Sequence, residues 1–477
     1  MPGLWEFIDT TATALLNVGR PPLRRAVPPA GIPTGHFLVG TAQPFGESSV
    51  AEGLPVTVPL ATFSKHCCMF GASGCGKTTT AHGLRDAFVV DGMNLVDIDY
   101  RGDGYDETLR RLVALGVDSD RLTLIDLRLR DQITPLNVLG WGQGSPETRA
   151  AVMFGAIRDS VDLSGVQLAM DLRMALSTLA EMRGSLLDVS RLLLPEGQEL
   201  RDRAISESTD GYVREALVTF DALAPEVQRT REAAVRNKLD PFLINPTLRA
   251  SLALSGAPDM GQIMNEPGHC CLVALGADRN PEARLVGRML VSAVQRAAMA
   301  RVDVSQSERN PVRLVVDEAQ NILGEETCQI LAEGRRYALG ITLMCQFRGQ
   351  LIPELRESVK VNCATQLQFQ TAASEASDFA SEVVASLSRD EVKRLIQSAP
   401  VGTAVCLRRG EPAAYVSTPN ASPPRFSGAT HTRVREAALT RTTTSRVDAE
   451  AFLAERSVVS RPSEKEVGKD VRKPFRR

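Results

Sequence analysis

The feature that most constrains this chain is a glycine-rich stretch of eight residues, Gly71-Ala72-Ser73-Gly74-Cys75-Gly76-Lys77-Thr78. An apolar run typical of a strand precedes it, and a pattern typical of a helix follows it to about Val90. Glycines let the backbone curl so that successive N–H groups point at phosphate oxygens, and the start of a helix adds partial positive charge. We therefore expect a phosphate-binding loop, extending to Thr79, that holds ATP.

Two side chains of this loop have predicted roles of their own. The Lys77 ammonium should reach the β- and γ-phosphates, and the Thr78 hydroxyl should bind Mg²⁺. The alternative is a chance match in a glycine-rich turn. A strand directly before the loop and a helix directly after it argue against that alternative.

A second acidic element lies far downstream. The apolar run Leu314 to Val316 ends in two carboxylates, Asp317 and Glu318. Asp317 is expected to hold Mg²⁺ through its water shell, and Glu318 to polarise the attacking water beside the γ-phosphate. The alternative is a strand that ends in a solvated acidic turn. Kinases and many GTPases lack the second acid, whereas ATP-driven motors commonly have it, so Glu318 favours an ATP-hydrolysing motor.

Polar residues flank a later apolar run, Ile341 to Cys345. Gln346 follows it, and ligands gather at the carboxyl ends of parallel strands, so Gln346 could sense the γ-phosphate or fix the water. Arg335 and Arg336 precede it, and an arginine there could complete a neighbouring subunit's site. The alternatives are a capping glutamine in a loop and a salt-bridged helix surface.

The order of patterns predicts an α/β fold of the P-loop NTPase (RecA-like) type, with a mostly parallel sheet and helices on both faces. Between about 145 and 255, apolar residues recur at helical spacing and strand-like runs vanish, which indicates an all-helical insertion. Composition after Asn420 predicts a disordered tail, with one weak helix near Val447 to Glu455. The expected divisions are 1–58 with a short β-hairpin and a possible helix near residues 5–18, 59–144, 145–255, 256–420 and 421–477.

Charge and apolar content limit the classes of partner and compartment. The formal net charge is −2, yet residues 421–477 carry 13 Lys/Arg against 7 Asp/Glu. Such a basic tail could contact nucleic acid, although most charged tails are simply solvated. No apolar run has the roughly 18 residues that a membrane helix needs, and no signal peptide is visible, so we expect a cytoplasmic protein.

The nine cysteines include two His-Cys-Cys runs, and both lie in strand patterns. Neighbouring residues of a strand point to opposite faces, so we expect no metal at either run.

The order of these motifs resembles that of the HerA–FtsK superfamily of DNA-pumping ATPases, in particular its HerA-like and type IV secretion coupling-protein-like members. Five stretches between about residues 36 and 417 carry the resemblance. They are residues 66–71 leading into the loop, Asp99-Tyr100-Arg101-Gly102-Asp103, Thr134-Pro135-Leu136-Asn137, Asp317-Glu318-Ala319-Gln320-Asn321, and Glu333-Gly334-Arg335-Arg336-Tyr337 through Gln346. Thr134 departs from the asparagine usual in the family. We expect residues 1–58 to be too few for the full N-terminal HerA barrel, and we expect no transmembrane anchor of the kind found in membrane coupling proteins.

The resemblance implies a homo-oligomer, a hexameric ring with DNA in its central channel and ATP sites between subunits, in which Arg335 is the arginine finger and Arg336 second. One alternative function is an ATP-switched platform that recruits a nuclease or secretion component through the tail or the insertion. A small-molecule kinase is a third and weaker alternative. Candidate DNA contacts are Arg229, Arg231 and Arg236, which could equally be ordinary solvated helix charges.

Overall fold

The structure is a computed structural model that describes residues 32–45, 52–140, 144–278, 280–383, 387–420 and 427–459. The chain folds into two compact units. The first contains residues 1–124, 263–273 and 298–438, and the second contains 125–262, 274–297 and 439–477. The possible helix near residues 5–18 lies outside the described residues.

Thirteen strands occur in the described part of the chain. They are β1 (His36–Gln43), β2 (Pro55–Pro59), β3 (Cys67–Phe70), β4 (Asn94–Asp99), β5 (Leu122–Asp126), β6 (Gln132–Ile133), β7 (Cys270–Ala274), β8 (Val312–Asp317), β9 (Leu339–Cys345), β10 (Thr365–Gln368), β11 (Thr403–Arg408), β12 (Ala414–Ser417) and β13 (Thr444–Ser445). Eleven of them form one sheet in the order β2-β1-β12-β11-β10-β3-β9-β8-β4-β7-β5.

The middle of this sheet is parallel. Strands β10, β3, β9, β8 and β4 run in one direction, while β2, β1, β12 and β11 pair antiparallel at one side. Every residue of β3 and β9 is buried, as expected for strands covered on both faces. The predicted hairpin forms from β1 and β2, and β1 also pairs with β12, which joins the hairpin to the main sheet.

Seventeen α-helices lie in the described ranges. They are α1 (Lys77–Val90), α2 (Tyr105–Ala114), α3 (Pro146–Arg158), α4 (Val166–Glu181), α5 (Asp188–Leu193), α6 (Gln198–Glu207), α7 (Gly211–Asp221), α8 (Pro225–Leu243), α9 (Pro246–Ala253), α10 (Met260–Asn265), α11 (Arg284–Met299), α12 (Glu326–Glu333), α13 (Pro353–Asn362), α14 (Ala373–Ala380), α15 (Arg389–Gln397), α16 (Gly428–Thr442) and α17 (Arg446–Val459). None of them is both long and apolar enough to cross a membrane.

The second unit contains the expected all-helical insertion, formed by α3 to α9. Local sequence signals start several of these helices. Ser145 caps α3 by accepting a hydrogen bond from the Thr148 N–H, with Pro146 at the first helical position. Asn245 caps α9 in the same way, again followed by proline.

The disordered tail expected after Asn420 does not extend over residues 427–459, which form α16, β13 and α17. In the second unit, β13 pairs with β6, and Ala449, Phe452 and Leu453 of α17 pack against Ile133. These three residues recur at helical spacing, an apolar stripe that the Ser/Thr/Arg-rich composition obscures. The weak helix expected at 447–455 is present as α17, and residues 421–426 and 460–477 lie outside the described residues.

Candidate nucleotide-binding site

The glycine-rich loop lies between β3 and α1, and two of its glycines occupy positions where neighbouring atoms leave no room for a side chain. A Cβ on Gly71 would lie 2.6 Å from Cβ of Phe369 and 2.7 Å from the Cys75 Sγ. Gly76 has a φ of 112°, and a Cβ there would lie 3.0 Å from the Gly402 Cα. Only glycine fits this backbone at both positions without displacing its neighbours.

Neighbouring strand ends hold the loop by main-chain hydrogen bonds. The Gly71 N–H donates to the Gln346 carbonyl (3.0 Å), and the Ala72 N–H donates to the Gln370 carbonyl (2.8 Å). The Gly402 N–H donates to the Cys75 carbonyl (2.9 Å). The loop is therefore braced by the residues that follow β9 and β10 and by the turn before β11. Sequence reasoning missed Gln370 and Gly402, because no local pattern marks either of them.

The polar side chains of the loop lie at its open side. The Lys77 ammonium donates to the carbonyls of Gly71 and Ala72, the latter at 2.9 Å. Ser73 and Thr78 are exposed and Thr79 is half-buried. Cys75 is buried instead, and burial raises the pKa of its thiol. The thiol is therefore neutral and packs beneath the loop. A cation and exposed hydroxyls therefore line the open side of the curled backbone.

Asp317 ends β8 beside a second carboxylate. Its register partner on β4 is Asp99. Burial, with the nearby negative charge of Asp99 second, raises the pKa of Asp317 to about 6, against the opposing effect of Arg85. The charged form of Asp317 is thus disfavoured in the folded chain, as expected for a carboxylate without a direct cationic partner.

Arg85 supplies the positive charge beneath these acids. It lies on α1, the helix that the loop opens, and its guanidinium contacts the Asp97 carboxylate at 2.8 and 2.9 Å. Both side chains are 3% exposed. Burial lowers the pKa of Arg85, but the carboxylates of Asp97, Asp317 and Asp99 outweigh burial and raise it. The helix of the loop and the acidic strand ends are therefore joined by a buried ion pair.

Glu318 follows in a left-handed backbone conformation, with φ 48° and ψ 47°. Its Oε2 accepts a hydrogen bond from the Gln320 amide at 2.6 Å. Its Oε1 lies 3.6 Å from the Arg101 Nε. Left-handed conformations are uncommon for residues other than glycine and concentrate at functional sites, which agrees with a special role for this glutamate.

Gln346 lies at the same edge of the sheet. Its carbonyl accepts the Gly71 N–H, and its own N–H donates to the Gln350 Oε1 at 3.1 Å. Two residues on, Arg348 is buried and donates to the Gln366 Oε1 at 2.8 Å, with its guanidinium 5.3 Å from the ring of Phe70. Arg348 thereby fixes the turn that carries Gln346, a role that the sequence alone did not reveal.

Arg335 and Arg336 lie elsewhere. They are exposed and belong to the short turn of 3-10 helix Gly334–Tyr337, which precedes β9, whereas Gln346 follows β9. Seven residues of strand separate the two ends by about 20 Å, at a rise of about 3.3 Å per residue. The chain therefore does not bring these arginines together with its own Lys77.

The candidate DNA-contacting arginines lie on α8 in the second unit, and each has a carboxylate partner. Arg229 pairs with Glu196 at 2.7 Å, and Arg231 pairs with Asp171 at 3.4 Å. Arg236 lies 3.7 Å from Glu232. Their charges are partly neutralised within the chain.

Within the described residues, no group of three His, Cys, Asp or Glu side chains is arranged to hold a metal ion. His66 is buried and its Nδ1 accepts the Ile341 N–H at 3.1 Å. Burial lowers the pKa of His66 to about 4, so it is a neutral structural residue. A Mg²⁺ ion bound directly by the Thr78 hydroxyl, and through water by Asp317, would take its other ligands from phosphate and water, which Mg²⁺ prefers.

A mostly parallel sheet, a phosphate-type loop between β3 and α1, and an acidic end on β8 together define a P-loop NTPase fold. No protein-family model matches the chain, and no curated protein sequence matches it.

Solved structures do match this fold. The bacterial conjugative coupling protein TrwBdeltaN70, in an unbound form, has 15% identity and a TM-score of 0.57 over 83% of this chain and 97% of its own. Plasmid coupling protein TrwB in complex with ADP and Mg²⁺ has 16% identity and a TM-score of 0.56, covering 84% of this chain and 99% of that one. VirB4 of Thermoanaerobacter pseudethanolicus has 16% identity and a TM-score of 0.52, with coverages of 83% and 97%. The chain has the fold that TrwB and VirB4 share.

Proposed function

We propose that the chain binds ATP with Mg²⁺ at residues 71–79 and hydrolyses it. The observation that supports this most directly is the convergence of four elements at one edge of the sheet: the loop, Asp317, Glu318 and Gln346. TrwB, whose fold this chain has, has been solved with ADP and Mg²⁺.

Each element has a task in this proposal. Loop N–H groups and Lys77 bind the phosphates, while Thr78 and Asp317 hold the metal. Mg²⁺, when bound, neutralises charge on the phosphate oxygens. Glu318 orients and polarises the attacking water, and Gln346 contacts the γ-phosphate or that water.

Two variants test the proposal. Lys77→Ala should weaken nucleotide binding, because the loop loses the cation at its open side. Glu318→Gln should keep nucleotide affinity and lose turnover, since an amide is not a base. Lys360→Ala, at a partly exposed lysine on α13 that pairs with Glu357, is the matched control and should leave both unchanged. Brisk hydrolysis by Glu318→Gln would remove that residue from the mechanism.

We further propose that hydrolysis drives movement along DNA by a ring of identical chains, six in number. The motif resemblance and the fold of a conjugative coupling protein support this. DNA should stimulate hydrolysis, and DNA binding should weaken steeply with salt, because phosphate contacts release counterions. Arg229, Arg231 and Arg236 remain candidate contacts, and replacing all three with Ala should reduce the salt slope. A rate and an assembly state indifferent to every form of DNA would exclude a DNA motor.

In such a ring, Arg335 would act on a neighbour's nucleotide, with Arg336 beside it. The exposure of both arginines and their distance along β9 from Gln346 support an action between chains. A mixture of inactive Lys77→Ala and Arg335→Ala chains should regain activity, because about a quarter of the interfaces in a random ring keep both residues. The control mixture combines Lys77→Ala with Arg203→Ala, a variant at an exposed arginine that pairs with Glu207. Its activity should not exceed that of the Arg203→Ala chains it contains. No recovery in the first mixture would contradict the arrangement.

One observation favours the assembly platform as a second candidate. A cavity of about 540 Å³ lies in the helical insertion, lined by Met174, Val213 and Phe220 among others. Met170 and Tyr212 at this cavity are 53% and 76% exposed. A partner docked there should be lost on Met170→Lys while DNA-stimulated hydrolysis persists. A partner that stays bound to Met170→Lys would exclude this cavity as its docking site and favour the motor alone.

A further inference from the structure

Both carboxylate oxygens of Glu318 are engaged by neighbouring side chains. Oε2 accepts the Gln320 amide at 2.6 Å, and Oε1 faces the Arg101 guanidinium, with Nε at 3.6 Å. A general base must offer an oxygen to water within about 2.6–3.2 Å. Arg101 therefore lies beside Oε1, the oxygen that does not accept the Gln320 hydrogen bond.

The backbone that carries Arg101 is held firmly. The Asp99 carboxylate accepts three N–H groups of the following turn, from Arg101 (3.1 Å), Gly102 (2.7 Å) and Gly104 (2.8 Å). Asp99 is the register partner of Asp317, whose next neighbour in the chain is Glu318. Two adjacent parallel strands thus end in Asp99 and Asp317, and the guanidinium and the glutamate project from the turns that follow.

The contact between Arg101 and Glu318 is weak by its geometry. The separation of 3.6 Å exceeds hydrogen-bond length, so the attraction is Coulombic. Arg101 is 47% exposed and Glu318 is 18% exposed, so water and salt screen it. Exposed pairs of this kind change an equilibrium by about 1.4- to 5-fold. Such a contact can restrain a carboxylate without locking it.

We propose that Arg101 is a positioning residue that restrains Glu318 and so slows hydrolysis. This inference rests on the proposed function, since it requires Glu318 to activate water. Removing the guanidinium leaves Oε1 to water, and Arg101→Ala should raise the single-turnover hydrolysis rate by about two- to five-fold with nucleotide affinity unchanged. Arg101→Lys keeps a cation at this position, so its hydrolysis rate should be close to that of the parent chain and below that of Arg101→Ala.

The experiment measures single-turnover hydrolysis and nucleotide affinity for the full chain. Arg110→Ala is the matched control, because Arg110 is 44% exposed and pairs with Glu107 on α2. It should change neither quantity. Glu318→Gln should already lack turnover, and adding Arg101→Ala to it should restore no hydrolysis, because the restrained carboxylate is gone.

The outcomes separate two failures. Brisk hydrolysis by Glu318→Gln alone refutes the role of Glu318 in the proposed function, and the restraint with it. If Glu318→Gln is inactive but Arg101→Ala is unchanged or slower than the parent chain, the restraint alone is refuted. A faster Arg101→Ala that also binds nucleotide more tightly places Arg101 on the nucleotide instead, and this too overturns the inference.

Discussion

Replacing Asp317 with asparagine should stabilise the chain in the absence of nucleotide and metal. The folded state raises the pKa of this carboxyl from 3.8 to about 6, chiefly by burial and by the charge of Asp99. The folded chain therefore holds the proton more tightly than the unfolded chain does. Stability is highest below the unfolded value and falls as pH rises through the folded one, reaching a deficit of about 3 kcal/mol above it.

Asparagine is nearly isosteric and carries no charge, so Asp317→Asn avoids this deficit. Its Oδ1 can still accept the Glu318 N–H, which Asp317 accepts at 2.9 Å. The gain in the free energy of unfolding should be about 1.5 kcal/mol at pH 5 and about 3 kcal/mol at pH 8. Urea unfolding at both pH values, without Mg²⁺ or nucleotide, measures it.

Asp99→Asn is the control for this prediction. Asp99 accepts three backbone N–H groups, and an amide would present a donor where one of its oxygens now accepts. That variant should lose about 1–3 kcal/mol in place of a gain. If Asp317→Asn is no more stable than the parent chain at pH 8, or if its advantage shrinks as pH rises, the electrostatic reasoning about this strand end is wrong.

Three other perturbations test the site. Arg85→Met should lower the free energy of unfolding by about 3–5 kcal/mol, because it leaves the buried Asp97 without its cation; a shift of the urea midpoint too small for 1 kcal/mol would contradict this. Gly76→Ala should weaken nucleotide binding at least about tenfold in an equilibrium titration, since the φ of 112° and the 3.0 Å approach to Gly402 force the loop to move; undiminished affinity would show that the loop tolerates a Cβ. Removal of Mg²⁺ with EDTA should abolish hydrolysis and added Mg²⁺ should restore it; turnover that persists in EDTA would exclude the metal role of Asp317.

Much of the first unit could be predicted because its central strands are continuous apolar runs. Strands β4, β5 and β7 are runs of this kind, and every residue in them is buried. Such runs mark strands buried on both faces, and each is punctuated by turns. The fold class was therefore readable from the alternation alone and is confirmed by the structure.

The parts that escaped prediction depend on residues distant in sequence. Gly402 supports a loop more than three hundred residues earlier through a main-chain bond, which leaves no side-chain pattern to detect. Arg85 and Arg348 resemble ordinary helix and loop arginines until the fold surrounds them with carboxylates, an amide and aromatic rings. The roles of Glu318, Gln346 and Arg335 stay predictions, because they concern a nucleotide and a neighbouring chain.

The position of β9 has a mechanical consequence. This strand pairs with β3 on one side and β8 on the other, and all seven of its residues are buried. It cannot slide past either neighbour without breaking a ladder of hydrogen bonds. A displacement of Arg335 at one end of β9 would therefore be transmitted to Gln346 at the other end, because the paired strands move together. In the proposed ring, a signal from one nucleotide site to the next would then move this strand together with both of its neighbours.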